Sequence, residues 1–133
     1  MEEDKLPRMA QAAVHAGFPS PAQDYMSGGI DLNREIVRHP DSTFYVRVSG
    51  DSMIGAGISD GDVLVVDRSL EPRDGATAVC FIEGEFVVRT LRYGASGITL
   101  EAANPAYKPI KTGPGNDFSV WGTVTWVLKK LEK

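Results

Sequence analysis

The sequence predicts a mostly-β domain of short strands that follows an extended N-terminal arm. The first 40 residues are polar and are interrupted repeatedly by Pro and Gly. After residue 42, β-branched and aromatic residues gather in short runs, and Gly, Asp and Pro separate these runs at intervals typical of turns. We therefore expect an arm over residues 1–40 and a β-rich domain over residues 41–133.

The arm contains too many breakers for a long helix. Pro7, Pro19 and Pro21 interrupt it, together with several glycines. Residues 8–15 could form one or two helical turns, and residues 32–37 another that begins after Asp31. Neither segment is long enough to be stable without tertiary contacts. Forty such residues cannot hold the three-helix DNA-binding domain that a repressor uses to read an operator.

Six segments of the second part carry strand patterns. They cover residues 43–48, 63–66, 76–82, 85–93, 98–101 and 118–128. The third and fourth segments flank Glu83-Gly84, a pair that is typical of a tight hairpin turn.

Composition and charge limit the class of function. The chain has 133 residues, enough for one domain, and its hydrophobic fraction of 42% can bury a core. Its 14 basic and 18 acidic residues give a net charge of −4, which argues against direct, non-specific binding to nucleic acid. The one cysteine, Cys80, excludes an internal disulfide and is expected to be a buried apolar residue. An acidic N-terminus without a long apolar run predicts a cytoplasmic protein rather than a secreted or membrane-spanning one.

A serine follows the first predicted strand directly, in the run Ser-Gly-Asp-Ser-Met over residues 49–53. A tight turn there could expose the hydroxyl of Ser52 and point nearby backbone N–H groups at a developing oxyanion. On these residues alone an ordinary turn is the commoner outcome. A serine nucleophile also needs a base. His15 lies in the arm and His39 at its end, which leaves a lysine kept neutral by burial.

A series of short motifs runs through the chain from residue 16 onward. They are residues 16–22 (Ala-Gly-Phe-Pro-Ser-Pro-Ala), 24–25 (Asp-Tyr), 30–33 (Ile-Asp-Leu-Asn), 39–40 (His-Pro), 48–54 (Val-Ser-Gly-Asp-Ser-Met-Ile), 57–62 (Gly-Ile-Ser-Asp-Gly-Asp), 65–67 (Val-Val-Asp), 84–86 (Gly-Glu-Phe), 104–107 (Asn-Pro-Ala-Tyr) and 121–124 (Trp-Gly-Thr-Val). In this order they closely resemble UmuD and MucA, which belong to the LexA-type family of self-cleaving Ser/Lys peptidases.

The resemblance implies a function in the SOS response to DNA damage. Members of this family are cytoplasmic homodimers that assist error-prone translesion DNA synthesis. A RecA filament on single-stranded DNA stimulates them to cut off their own arm. The shortened dimer then joins a UmuC-like subunit of a Y-family polymerase. The resemblance implies no cofactor, no metal, no membrane and no direct binding to DNA.

Carried onto this sequence, the resemblance implies that the scissile bond joins Ala16 to Gly17 and that Ser52 is the nucleophile. The backbone N–H groups near Asp51 and Ser52 would be the oxyanion donors. The family pattern in the second hairpin strand is Glu-Phe-x-Val-Lys, and this chain has Arg89 in place of the lysine, at the spacing from Ser52 that the family requires.

Arginine cannot replace the lysine as a base, because its guanidinium stays protonated and has no lone pair to offer. The next lysines, Lys108 and Lys111, lie beyond the hairpin in a stretch rich in Pro and Gly. We therefore expect a serine autopeptidase site that is inactive in this chain. Two origins of Arg89 stay open: a substitution made to trap the uncut form, or a natural feature of a non-cleaving relative.

Three classes of function remain to be compared. The chain could be a self-cleaving peptidase, an interaction module that regulates a polymerase, or the regulatory half of a LexA-like repressor without its DNA-binding part. The Pro-rich arm, which resembles UmuD rather than a linker after helices, disfavours the repressor.

Overall fold

The computed structural model describes residues 6–10 and 26–132. Within these ranges the chain divides into two compact units, with the boundary between Arg38 and His39. The first unit contains β1 (Arg8–Ala10), β2 (Met26–Gly29) and α1 (Leu32–Ile36). The second unit contains β3 (Thr43–Arg47), β4 (Val63–Asp67), β5 (Thr77–Ile82), β6 (Glu85–Gly94), β7 (Gly97–Glu101), β8 (Ile110–Lys111) and β9 (Phe118–Leu128), with short 3-10 helices at Pro40–Ser42 and Ile54–Ala56.

The first unit is held by antiparallel pairing of β1 with β2. The N–H of Ile30 also donates to the carbonyl of Pro7 at 2.7 Å. The prediction of helical turns over residues 8–15 is therefore wrong for residues 8–10, and residues 11–15 lie outside the described part. Pairing with β2 satisfies the backbone groups of this segment, whereas a helix this short has little stability without tertiary contacts.

The start of α1 agrees with the prediction of a short helix that begins after Asp31. The Asp31 carboxylate accepts a hydrogen bond from the N–H of Arg34 at 3.4 Å, which satisfies one of the donors that a helix start leaves unpaired. The helix ends at Ile36, one residue before the predicted end. Among the described residues, no helix is long and apolar enough to cross a membrane.

The second unit is one antiparallel sheet in the order β3-β4-β9-β5-β6-β7-β8. The predicted mostly-β fold is confirmed, and β9 covers the predicted range. The hairpin of β5 and β6 pairs Ile82 with Glu85. Both turn residues have positive φ, 50° at Glu83 and 82° at Gly84, as a two-residue turn of this twist requires. β8 was not predicted, because its two residues lie in the stretch rich in Pro and Gly.

The sheet carries apolar clusters on both faces. Residues alternate along β5, so Ala78 and Cys80 join one cluster and Val79 joins the other. Cys80 is fully buried, as predicted. Burial raises the pKa of its thiol to about 11, although the nearby charge of Arg89 lowers it. Cys80 is therefore a core residue and not a thiolate nucleophile at neutral pH.

Candidate active site

A cleft of about 310 Å³ lies between the end of β3, the loop that follows it and the first half of β6. Ser52, Arg89 and Tyr107 all line this cleft, together with apolar side chains that include Met53 and Val88. Ser52 and Arg89, which are 37 residues apart in the chain, therefore meet at one surface.

The loop that carries Ser52 is fixed by backbone contacts with Ala103. The carbonyl of Ser52 accepts the N–H of Ala103 at 2.8 Å, and the N–H of Gly55 donates to the carbonyl of Ala103 at 2.8 Å. A Cβ atom on Gly55 would lie 2.6 Å from that carbonyl oxygen. Glycine is needed here because only its backbone can approach so closely.

Asp51 is held by two side chains from the segment after β7. The amide of Asn104 donates to the Asp51 carbonyl at 3.0 Å, and the hydroxyl of Tyr107 donates to the Asp51 carboxylate at 2.9 Å. The hydrogen bond to Asp51 raises the pKa of Tyr107 above its usual value. The Asn-Pro-Ala-Tyr motif contributed only to the resemblance in the sequence. The structure gives it a physical role, because it anchors the serine loop.

Arg89 approaches Ser52 from β6. Its Nη1 donates to the Ser52 Oγ at 2.9 Å and to the Val88 carbonyl at 2.8 Å. The side chain is buried, and its guanidinium lies 5.5 Å above the ring of Tyr107. Burial lowers the pKa of Arg89, partly offset by Tyr107 and Cys80, but an arginine still stays charged at physiological pH. The serine oxygen is therefore an acceptor in this contact, whereas a nucleophile must give its proton to a base.

Of the other predicted site residues, the structure describes Asp51 but not the two residues of the predicted scissile bond. Asp51 lies beside Ser52 in the loop, and the backbone N–H of Ser52 has no hydrogen-bond partner among the described residues. Ala16 and Gly17 lie outside the part of the chain that the structure describes. The catalytic role of Ser52, the oxyanion donors and the scissile bond stay predictions.

Other groups that could act on Ser52 are placed elsewhere. His39 binds the carboxylate of Asp67 at 2.6 Å and does not line the cleft. No lysine is found among the described residues that line it. Over residues 6–10 and 26–132, no cluster of three or more His, Cys, Asp or Glu side chains could hold a metal ion.

An antiparallel β domain that holds a serine loop against a basic residue of a hairpin strand has the arrangement expected of a Ser/Lys peptidase domain, with arginine in the position of the lysine. The model of the family described as Peptidase S24-like matches residues 8–125, so this chain belongs to that family. Its relatives place it among UmuD-like and LexA-type proteins.

Three relatives show the range of this similarity. The chain is 42% identical to Protein MucA of Escherichia coli over 116 residues, which cover 86% of the chain and 79% of MucA. It is 38% identical to Protein ImpA of Salmonella typhimurium over 124 residues, 89% of the chain and 80% of ImpA. It is 36% identical to the LexA repressor of Mycobacterium sp. (strain KMS) over 118 residues, 89% of the chain but 50% of the repressor. These relatives support an SOS-related role.

Proposed function

We propose that this chain is a regulatory subunit of an error-prone translesion polymerase in the SOS response, in a form that does not cut its own arm. The observation that carries the proposal is the hydrogen bond from Arg89 Nη1 to Ser52 Oγ at 2.9 Å. A guanidinium therefore occupies the place from which a neutral lysine would take the serine proton.

Self-cleavage needs a proton acceptor at its first step. In a chain with a base lysine, the Ser52 oxygen would attack the carbonyl carbon of Ala16 and pass its proton to the lysine. The backbone N–H groups near Asp51 and Ser52 would stabilise the oxyanion, and the amine of Gly17 would leave with a proton from the lysine. Arg89 fails at the first step because it has no lone pair.

The proposed partners are a second copy of the chain, a RecA filament on single-stranded DNA and a UmuC-like Y-family polymerase subunit. The net charge of −4 supports recruitment to DNA through these proteins rather than by direct contact. Tyr45 and Trp126 both pair with Val65 across the sheet and are 57% and 51% exposed. This apolar surface supports a contact between two copies. The proposed location is the cytoplasm.

The second candidate function is the regulatory domain of a LexA-like repressor. The matched segment covers about four fifths of MucA and ImpA and 50% of the LexA repressor, so the coverage is compatible with both functions. The Pro-rich sequence of residues 1–40, which resembles UmuD rather than a linker after helices, supports the UmuD-like subunit.

The test is to incubate the native chain with RecA filaments on single-stranded DNA, and separately at alkaline pH. Mass spectrometry should detect no fragment that begins at Gly17, because Arg89 cannot take the proton of Ser52. A fragment that begins at Gly17 and forms at the rate of a lysine-containing chain would overturn the proposal.

A further inference from the structure

The cleft at Ser52 carries positive charge. Arg47 and Arg89 line it, and none of the described residues that line it is Asp or Glu. Neither arginine contacts a carboxylate in the described part of the chain, where the side chains that do so are Arg38, His39, Arg92 and Lys129. The carboxylate of Asp51, next to Ser52 in the chain, accepts from Tyr107 instead. The cleft therefore favours an anion.

Arg89 keeps donors that are not used. A guanidinium has five N–H groups, and only Nη1 donates to the described residues. Its Nε is buried without a hydrogen-bond partner in the described part of the chain. The side chain is 7% exposed, so water does little to compensate for the missing partners. The planar group matches a carboxylate better than a spherical ion, because it can donate through two parallel hydrogen bonds.

The cleft continues into an apolar cavity of about 250 Å³. This cavity is lined by Val46, Val79, Phe86 and Trp121, and the first three of these also line the cleft. The two spaces are therefore contiguous. An anion with an attached apolar group would be complementary to both, whereas a small inorganic anion would leave the apolar part empty.

The backbone beside the cleft can accept an extended chain. Among the strands that the structure describes, β5 pairs with β6 from Glu85 to Thr90, whereas β7 pairs with it only from Thr90 onward. β3, on the other side of the cleft, is the edge strand of the sheet. A peptide in extended conformation can add to such an edge through its own backbone hydrogen bonds.

We propose that this cleft binds the free C-terminal carboxylate of an extended peptide. The carboxylate pairs with Arg89 beside Ser52, and an apolar side chain of the peptide fills the cavity at Trp121. This assigns a ligand class to the site of the proposed function, but it rests on the charge and shape of the cleft and not on the polymerase role.

The test compares two peptides on the native chain. The probe is acetyl-Gln-Ala-Ala-Val-His-Ala, the sequence of residues 11–16, made once with a free carboxylate and once as the C-terminal amide. Isothermal titration calorimetry should give a dissociation constant at least about tenfold lower for the free acid, because a charge-assisted pair is lost in the amide. Equal affinities, or no binding of either peptide, would overturn the proposal.

Two variants assign the preference to its residue. Arg89→Met should bind the acid and the amide equally. Arg92→Met, which changes an exposed arginine of the same strand, should keep the full preference. A preference that survives in folded Arg89→Met contradicts the role of Arg89, and if that variant does not fold, the two peptides on the native chain still decide.

Two further titrations distinguish peptide binding from simple anion binding and from self-cleavage. Sodium acetate should bind far more weakly than the peptide acid. Equal affinity would contradict peptide binding and would mean that the cleft binds any carboxylate. The same titrations on Ser52→Ala, which has no nucleophile, keep the result distinct from self-cleavage. If the native chain proves to cut itself, the proposed function fails while the preference for a carboxylate is still decided.

Discussion

Asp67 and Arg89 are buried to a similar degree but are satisfied to different extents. Asp67, at the end of β4, is 4% exposed, and its carboxylate accepts from His39 Nδ1 at 2.6 Å and from the N–H and hydroxyl of Ser69 at 2.9 and 2.6 Å. Arg89 is 7% exposed, and Nη1 is the one nitrogen through which it donates to the residues that the structure describes. Burial alone therefore does not distinguish a charge that holds the fold from one that serves a site, whereas the completeness of its hydrogen bonding does.

The pKa values of the two groups show the same difference. Burial tends to raise the pKa of Asp67, but hydrogen bonds from His39 and Ser69 outweigh it and lower the pKa to about 2. Burial lowers the pKa of Arg89, and its surroundings only partly offset this. The fold therefore favours the charged form of Asp67 and disfavours that of Arg89. Asp62, directly before β4, behaves like Asp67. A hydrogen bond from the Lys129 side chain and another from the backbone of Ser59 lower its pKa.

The largest effect on stability is expected from Asp67→Ala. It removes the acceptor of the His39 ring, of the two Ser69 donors and, at 3.5 Å, of the Ser42 hydroxyl, so the free energy of unfolding should fall by about 3 kcal/mol. Urea unfolding at pH 7 measures this change. Asp41→Ala, at an exposed residue near the same strand pair, is the control and should change stability by less than about 0.5 kcal/mol. Equal losses in the two variants would remove the distinction between Asp67 and an ordinary surface carboxylate.

Acid should weaken the fold through the same group. The folded pKa of Asp67 lies below its usual value of 3.8, so its contribution is complete above about pH 5 and is lost as the pH falls towards 2. After allowance for solvent near this site, the loss should be about 1 to 2 kcal/mol. Urea unfolding between pH 7 and pH 3 tests this. The decline should be shallower in Asp67→Asn, and a decline of the same steepness would exclude Asp67 as its source.

The smallest effect on stability, with the opposite sign, is expected from Arg89→Met. The change removes a buried charge with incomplete partners and keeps an unbranched apolar side chain. The free energy of unfolding should therefore stay the same or rise by about 1 kcal/mol. Thermal and urea unfolding beside Arg92→Met provide the comparison. A loss above about 2 kcal/mol would mean that Arg89 stabilises the fold, as Asp67 does.

Local features of the fold were predictable from the sequence. Three such features are the Glu83-Gly84 turn, the Asp31 cap and the range of β9. Each depends on residues that are neighbours in the chain, so the local sequence was enough to predict it. The pairing of β1 with β2 was not predictable, because it joins short segments without a strong pattern. β8 has only two residues and is defined by its pairing with β7.

In the candidate site, too, individual residues were predictable from the sequence, whereas the contacts between them were not. The resemblance identified Ser52 and Arg89, but the contact between their side chains depends on how the serine loop and β6 pack. The contact of Tyr107 with Asp51 joins residues 56 apart, and no local pattern encodes it. The same holds for the charge of the cleft. Among the described residues no carboxylate lines it, and this depends on how distant segments pack.

The most direct test of the central claim is self-cleavage by Arg89→Lys. With RecA filaments on single-stranded DNA, or at alkaline pH, mass spectrometry should detect a fragment that begins at Gly17. Adding Ser52→Ala should abolish this fragment, and Arg92→Lys, the matched change in the same strand, should produce none. If Arg89→Lys is folded but stays uncut, Arg89 does not occupy the place of the base.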